Sequence, residues 1–260
     1  MRRDLLLLFV AYHPSERDIS KLMKCLSQLF NNIGYAVVVN DYIEHEPVEK
    51  LFVNADYVLC NKKNLGYGAA INMLINSIPY EPEFIGALNT DLIWERGTFE
   101  GMITWLRPQL DINLIAPEIL DVDGKVQKLC KKNPTVLAML SRRFIPEVMK
   151  PAWLQKYDNW YIMNHQNYSH IFESEYLSGC CMVFRTSAFI DIGGFDERYF
   201  LYLEDADITR MLSKKGLCVY YPDASVTHLW GRGNYKRLSL MWVNIISAWK
   251  YFCKWGWKLW

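Results

Sequence analysis

Phe84-Ile85-Gly86-Ala87-Leu88-Asn89-Thr90-Asp91 is a continuous apolar run, Phe84–Leu88, that ends in three polar residues. A short continuous apolar run bounded by turn formers reads as a strand buried on both faces. Working backward, Leu5–Ala11 is a similar run, followed by Ile19, Leu22, Met23, Leu26, Phe30 and Ile33 at helical spacing, with Ser15 placed to cap that helix. Tyr35–Val39 and Tyr57–Cys60 give two more strands on either side of a polar stretch from Asn40 to Pro47, and Gly68 to Ile78 reads as a helix. Working forward, Thr98–Leu106 is helical and Leu114–Ala116 is a fifth strand. Regular alternation of strand and helix predicts an α/β fold, a mostly parallel sheet with helices on both faces. Ligands of such sheets bind at the carboxyl ends of the strands, which is where Asn89-Thr90-Asp91 stands.

From Asp121 to Ser174 the pattern weakens: Asp123-Gly124 suggests a hairpin, and basic residues mix with Trp153, Tyr157, Trp160 and Tyr161. Order returns with Tyr176–Phe184 as a strand, Thr186–Ile192 as a short helix, Gly193-Gly194 as a turn, Asp205–Lys214 as a helix, Leu217–Tyr221 and Asp223–Thr227 as strands, and Leu238–Trp260 as a last helix. A chain of 260 residues, 51% apolar and 22% charged, can bury a core as one large domain with an appendage. The net charge of +1 argues against a nucleic-acid partner. Seven cysteines, an odd number with no C-x-x-C pair, fit reduced thiols and a cytoplasmic location. The opening MRRDLLLLFVAYHPS is expected to be a first strand, because Asp4 interrupts the basic start and the charged Ser15–Asp18 follows where a cleavage site needs small residues. No uncharged apolar run reaches the ~18 residues of a spanning helix.

Asn89-Thr90-Asp91 at a strand's end is a candidate oxygen-ligand site for Mg²⁺ or Mn²⁺, which keep waters and share a diphosphate's oxygens; the same residues also suit a turn that bonds its own backbone. Glu204-Asp205 with Asp207 opens a helix, where the dipole favours carboxylates, and follows the aromatic Tyr199–Leu203 run, so a carboxylate there could take a proton from a sugar hydroxyl. His228 precedes Trp230-Gly231-Arg232-Gly233; beside a metal and a diphosphate it could bind the ion while Arg232 forks onto phosphate. Asn64-Leu65-Gly66-Tyr67-Gly68 through Asn72 raises a dinucleotide-binding alternative, but the third fingerprint glycine would fall at Ile71 and the motif follows the third strand.

Taken in order, Val37–Asp41, Asn64–Gly68 with Asn72, Leu88–Asp91, Ser178–Arg185, Gly193–Glu197, Phe200–Asp207 and His228 resemble glycosyltransferase family 2, above all its bacterial rhamnosyltransferase-like members. The resemblance implies the GT-A fold, a Rossmann-like sheet, over residues 1–235, with an acceptor-side insertion at about 121–175. It implies an inverting, metal-dependent glycosyltransferase using a nucleoside-diphosphate sugar, dTDP-L-rhamnose as first choice. The acceptor would be a glycan on a lipid carrier in surface polysaccharide, lipopolysaccharide or O-antigen assembly. Asp205 resembles the catalytic base, with Glu204 orienting it or the acceptor. Asp91, Asn89 and His228 correspond to the metal site, Asn89 departing from the usual first Asp. The donor would meet Ala11, Asn40, Asp41, Asn64, Gly66, Gly68, Asn89, Gly179 and Arg232. Asp-Asn-x-Ser is frequent after the second strand of such families, whereas this chain has Asn40-Asp41-Tyr42-Ile43, which leaves open which of Asn40 and Asp41 meets the base. A catalytically silent binding module is the alternative, against which the retention of Asp91 and Asp205 speaks.

Residues 236–260 add what the resemblance does not require. Trp242, Ile245, Ile246, Trp249, Phe252 and Cys253 recur at helical spacing, and Lys250, Lys254 and Lys258 form a basic stripe after Lys236 and Arg237. Trp and Lys together are the composition of a helix lying in an anionic membrane interface, which would hold the protein peripherally on the inner face of the cell membrane. A helix packed on the catalytic domain or on a second subunit is the alternative reading.

Overall fold

The computed structural model describes residues 2–229 and 238–260, with only the backbone at 238 and 239. Strands β1 (Leu5–Ala11), β2 (Ile33–Val39), β3 (Tyr57–Cys60), β4 (Phe84–Leu88), β5 (Leu92–Trp94), β6 (Ile112–Leu120), β7 (Phe172–Glu173), β8 (Cys181–Arg185) and β9 (Leu217–His228) form one nine-stranded sheet, in the order β3-β2-β1-β4-β8-β6-β9-β5, with β7 also on β9. The half predicted from alternation is parallel: β3, β2, β1 and β4 run together, as do β6 and β9. Between them β8 is antiparallel to both β4 and β6, and the short β5 and β7 are antiparallel to β9, so the sheet as a whole is mixed.

The parallel strands need crossovers. These are α1 (Glu16–Leu26), α2 (Tyr67–Asn76) and α3 (Thr98–Leu106). Ser15 caps α1 as expected, its hydroxyl accepting from the Asp18 N–H at 3.1 Å. β1, β2 and β4 are buried on both faces, which is why they read as unbroken apolar runs. Two core layers result. One holds Leu5, Leu7, Phe9 and Val37 under α1 and α3; the other holds Leu6, Leu8, Ile71 and Phe184 under α2.

The weakly patterned stretch 121–175 is ordered. Its Asp121–Lys125 turn closes the predicted hairpin, with Gly124 at φ 76°, and it carries α4 (Val136–Phe144) and α5 (Ala152–Tyr161). Two further helices, α6 (Thr186–Asp191) and α7 (Glu204–Leu212), follow β8. The last helix, α8 (Leu238–Trp255), packs on α7: Tyr251 and Phe252 are buried against Tyr176, Tyr199, Leu203 and Ala206. The chain after α8 turns back onto α4, where the carbonyls of Lys258 and Leu259 accept the N–H groups of Val136 and Leu137, two of the unpaired donors of that helix's first turn.

The packing assigns α8 two faces. Lys254 donates to Asp207 (2.7 Å) and Asp196 (2.9 Å), and Lys250 to the Arg198 carbonyl, so the lysines expected to meet lipid headgroups are turned to protein and only Lys258 of that stripe is exposed. The opposite face is apolar and exposed: Trp242 61%, Ile245 41%, Ile246 50% and Trp249 62%. Lys236, Arg237 and the 235/236 boundary lie outside the described residues. No helix among the described residues is long and apolar enough to cross a membrane.

Candidate active site

The crevice lies where β1 and β4 adjoin, because the chain leaves β1 toward β2 and β3 and returns to β4 on the other side. Ala11, at the end of β1, is buried, and its carbonyl accepts the Asn40 N–H at 2.8 Å. Asn40 is 1% exposed, and its side chain bonds three neighbours: Nδ2 donates to Asn64 Oδ1 (3.1 Å) and the Gly66 carbonyl (3.0 Å), while Oδ1 accepts from Asn61 (3.1 Å). Asn40 therefore ties the loops after β2 and β3 together. Asp41, at φ 56°, keeps its side chain half exposed. It pairs at 3.3 Å with His13 Nε2, whose other ring nitrogen lies 2.5 Å from Glu46. The two carboxylates, Glu46 foremost, raise the His13 pKa. His13 and Glu46 were not singled out from the sequence, where they stand 33 residues apart with nothing local to join them.

The glycines of the 64–68 loop are required by protein packing. Gly66 has φ 88°, and a Cβ on it would lie 2.3 Å from the Phe200 carbonyl oxygen; a Cβ on Gly68 would lie 2.7 Å from Phe195 Cβ. Asn72, buried, exchanges bonds with the Phe195 backbone and so pins the Gly193-Gly194 turn. The dinucleotide-type spacing thus has a structural use here.

β5 returns the chain antiparallel beside the end of β9, with Leu92 opposite His228. This register sets His228 Nε2 3.2 Å from Asp91 Oδ2, with both side chains partly accessible. Asn89 lines the same cleft, its N–H bonded to the Cys180 carbonyl at 3.0 Å. Among the described residues no group of three His, Cys, Asp or Glu side chains forms a complete metal cage. One carboxylate and one imidazole nevertheless suit Mn²⁺ or Mg²⁺, which take their remaining ligands from water and substrate phosphate. Arg232 lies outside the described residues.

Asp205 stands in the first turn of α7, whose dipole favours its charge. Tyr202 and Leu203 before it both take left-handed backbone, φ 69° and 66°, an arrangement that costs on the order of 1–3 kcal/mol per residue. Neighbours hold them there. Ser247 of α8 donates to the Leu201 carbonyl at 2.8 Å and the Tyr67 N–H to the Phe200 carbonyl at 3.1 Å. Asp205 Oδ1 accepts from the Tyr176 hydroxyl (3.0 Å) and the Ala206 N–H (2.9 Å), and Oδ2 from the Gly179 N–H (3.0 Å). Gly179 cannot be larger without shifting Asp205, since its Cβ would meet Asp205 Cβ at 3.0 Å. Glu204, beside it, is buried; burial first and the Asp205 charge second push its pKa up to about 8, so it holds its proton at neutral pH. Tyr176 and Lys131 complete this wall, with the Lys131 ammonium 4.3 Å from the Tyr176 ring; neither was foreseen, because the sequence placed Tyr176 inside a strand and Lys131 in unpatterned chain. Burial lowers the Lys131 pKa against the opposing pull of Asp205.

One cleft of about 280 Å³ therefore joins Asn89 and His228 to Gly179, Glu204 and Asp205. The chain has the GT-A fold. The structure of GalNAc-T7 with UDP, GalNAc and Mn²⁺ superposes at a TM-score of 0.68 and 10% identity, over 96% of this chain and 48% of that one. A mannosyltransferase from Pyrobaculum calidifontis with GDP-Man and Mn²⁺ gives 0.61 and 12%, over 98% and 64%. TarS residues 1–349 of S. aureus, with UDP-GlcNAc, gives 0.60 and 16%, over 90% and 60%. In sequence, the chain is 32% identical over 177 residues, 64% of its length, to an N-acetylglucosaminyl-diphospho-decaprenol L-rhamnosyltransferase of Mycobacterium tuberculosis, and that match spans 56% of the relative. No protein-family model matches the chain. The resemblance to rhamnosyltransferase-like GT-A proteins read from the sequence is borne out.

Proposed function

We propose that this GT-A chain is an inverting glycosyltransferase that transfers L-rhamnose from dTDP-L-rhamnose to a saccharide carried on a polyprenyl diphosphate. The observation that carries this reading is the shared cleft: Asp205, fixed by three hydrogen bonds, faces the same space as Asn89 and His228. The relative whose name specifies a diphospho-decaprenol acceptor supports the choice of acceptor and sugar.

In this reading Asp205 takes the acceptor hydroxyl's proton as that oxygen bonds to the sugar's anomeric carbon. The bond from that carbon to the diphosphate oxygen breaks on the opposite face, the electron pair leaves with the nucleoside diphosphate, and configuration inverts. Asp91, Asn89 and His228 would hold a divalent ion, which when bound stabilises the negative charge of the leaving group. Glu204, still protonated, donates a hydrogen bond that orients the acceptor. Asp41, reached through the Asn40 clamp, meets the nucleotide base. The exposed face of α8, with Arg142 and Arg143 of α4 as nearby exposed cations, rests the protein on a membrane where lipid-linked acceptors reside.

The test is a panel of sugar nucleotides, each with Mn²⁺, offered with a short-chain prenyl-diphosphate saccharide. Transfer of rhamnose with release of dTDP, abolished by Asp205→Asn, is the expected result. A silent binding module would stabilise on a ligand and transfer nothing.

A further inference from the structure

Two cavities continue the catalytic cleft away from the metal side. The first, about 240 Å³, is lined by Glu204, Asp205, Tyr176 and Lys131, and reaches Arg143 of α4 and Met241 and Asn244 of α8. The second, about 190 Å³, begins at those same three residues and runs between α4 and α8 over Leu140, Phe144, Ile245, Trp249 and Trp257; its lining is almost wholly apolar. Along this line the wall changes from a carboxylate, to cations, to hydrocarbon.

We propose that the α4/α8 groove holds the first part of the prenyl chain of the acceptor, and that Arg143, with Lys131 behind it, binds the acceptor's diphosphate. The proposal rests on the reading above that the acceptor is a polyprenyl-linked saccharide, and assigns that acceptor its site. The occupant follows from two features. The groove adjoins the cleft that contains Asp205 through shared lining residues, so one extended ligand can occupy both. The junction is positive: Arg143 is exposed and makes no ion pair with any described carboxylate, while Lys131 lies over the Tyr176 ring and feels the pull of Asp205 and the opposing charge of Arg142. A guanidinium with free N–H groups matches a diphosphate's oxygens, and an apolar trough with two indoles matches isoprene units. A saccharide, an anion and a hydrocarbon in that order are the three parts of a prenyl-diphosphate sugar. The groove is too small for a long chain, whose remainder would leave over exposed Ile246 and Trp242 toward the lipid.

Farnesyl diphosphate is the probe, titrated by calorimetry into the full chain, with farnesol and inorganic diphosphate as partial ligands. The joined molecule should bind at least about tenfold more tightly than either part, since a 1.4 kcal/mol gain is tenfold. Leu140→Asp and Ile245→Asp change exposed positions and should leave the fold intact, shown by an unchanged melting temperature shift with sugar nucleotide. Each should weaken farnesyl diphosphate at least tenfold and leave inorganic diphosphate unaffected. Arg143→Ala should do the reverse, weakening both phosphate-bearing ligands and sparing farnesol. No binding of farnesyl diphosphate to the wild type, or equal binding by wild type and Leu140→Asp, overturns the site. So does loss of vesicle binding in Leu140→Asp with farnesyl diphosphate affinity kept, which would make the groove a bilayer contact only. The sugar-nucleotide arm keeps the two readings separate: donor binding without farnesyl diphosphate binding rejects the groove, and the converse rejects the transferase.

Discussion

Glu204→Gln isolates the effect of a carboxyl that stays protonated beside the base. In the folded chain its pKa rises from 4.5 to about 8, through burial first and the Asp205 charge second. A folded pKa above the unfolded one means that the contribution to stability is full below about pH 4.5 and is lost as pH climbs through about 8. At ~1.4 kcal/mol per pKa unit the loss by pH 9 is roughly 4–5 kcal/mol. The amide of Gln has the shape of the protonated acid and never ionises. It should therefore lack that loss, while its terminal NH₂ meets the same partnerless space as Glu204 Oε2. Urea unfolding at pH 5 and pH 9 reads the difference: the two proteins should agree at the lower pH, and the Gln variant should be more stable by at least ~2 kcal/mol at the higher. Transfer rates give a second readout. If neutral Glu204 orients the acceptor, the variant should keep activity at pH 7 within a few-fold and stay active where the wild type declines above pH 8. Parallel pH profiles for the two proteins, or a ~10²-fold loss in the variant at pH 7, would refute the assignment of a proton to Glu204.

Asp205→Asn should lower kcat by about 10²-fold or more while donor affinity holds, since the amide still accepts from Tyr176 and Ala206 but cannot take a proton; near wild-type turnover would move the base to Glu204 or Asp207. Chelator should silence transfer, Mg²⁺ or Mn²⁺ should restore it, and Asp91→Ala should need more metal than wild type, as read by the metal concentration giving half-maximal rate; full activity in chelator would remove the metal from the mechanism. In liposome sedimentation the full chain should pellet with anionic vesicles, and Trp242→Asp/Trp249→Asp should stay in the supernatant, because those rings are 61% and 62% exposed; equal pelleting would leave α8 as a packed helix only.

Strand positions were legible where burial on both faces made a run continuous, as in Leu5–Ala11 and Phe84–Leu88; the partly buried Tyr57–Cys60 also stands as read. β5 escaped because three residues carry no period, and yet it sets the register that brings His228 to Asp91. The run Tyr176–Phe184 was read as one strand, but the β8 ladder begins at Cys181; Tyr176 makes a lone bridge to Lys131, and the segment between aims the Gly179 N–H at Asp205. The antiparallel entry of β8 has no local signature, since its apolar run would suit either direction. In the 121–175 stretch α4 and α5 pack on one another, and Val136 and Met139 of α4 on the cluster of Tyr251 and Phe252, so aromatic and basic residues replace the clear apolar stripe of a core helix. Residue types at the site were readable one by one. Their pairings, His13 with Glu46 and Tyr176 with Asp205, join distant parts of the chain and could be seen only in the fold.

The two faces of α8 answer different requirements. Its inner face is fixed: Lys254 is held by Asp207, whose side chain is fully buried and also accepts from Trp255 Nε1 at 2.6 Å. Removing one partner of such a pair costs ~3–5 kcal/mol, because a buried charge is left behind. Folding therefore accounts for Tyr251, Phe252, Lys254 and Trp255, and leaves Trp242, Ile245 and Ile246 exposed, with Trp249 set edge-on to Trp257 but still 62% exposed. Ile245 and Trp249 line a groove with exposed Leu140 and Phe144 of α4, an apolar surface of the kind that marks a binding face and not scattered exposure. The grip on Asp207 falls two residues from Asp205, and Ser247 of the same helix holds the Leu201 carbonyl just before the left-handed pair that precedes Glu204 and Asp205. The helix that presents the apolar surface thus also fixes the start of α7. An acceptor drawn along that surface would arrive at a carboxylate whose position is set by the same element that guided it.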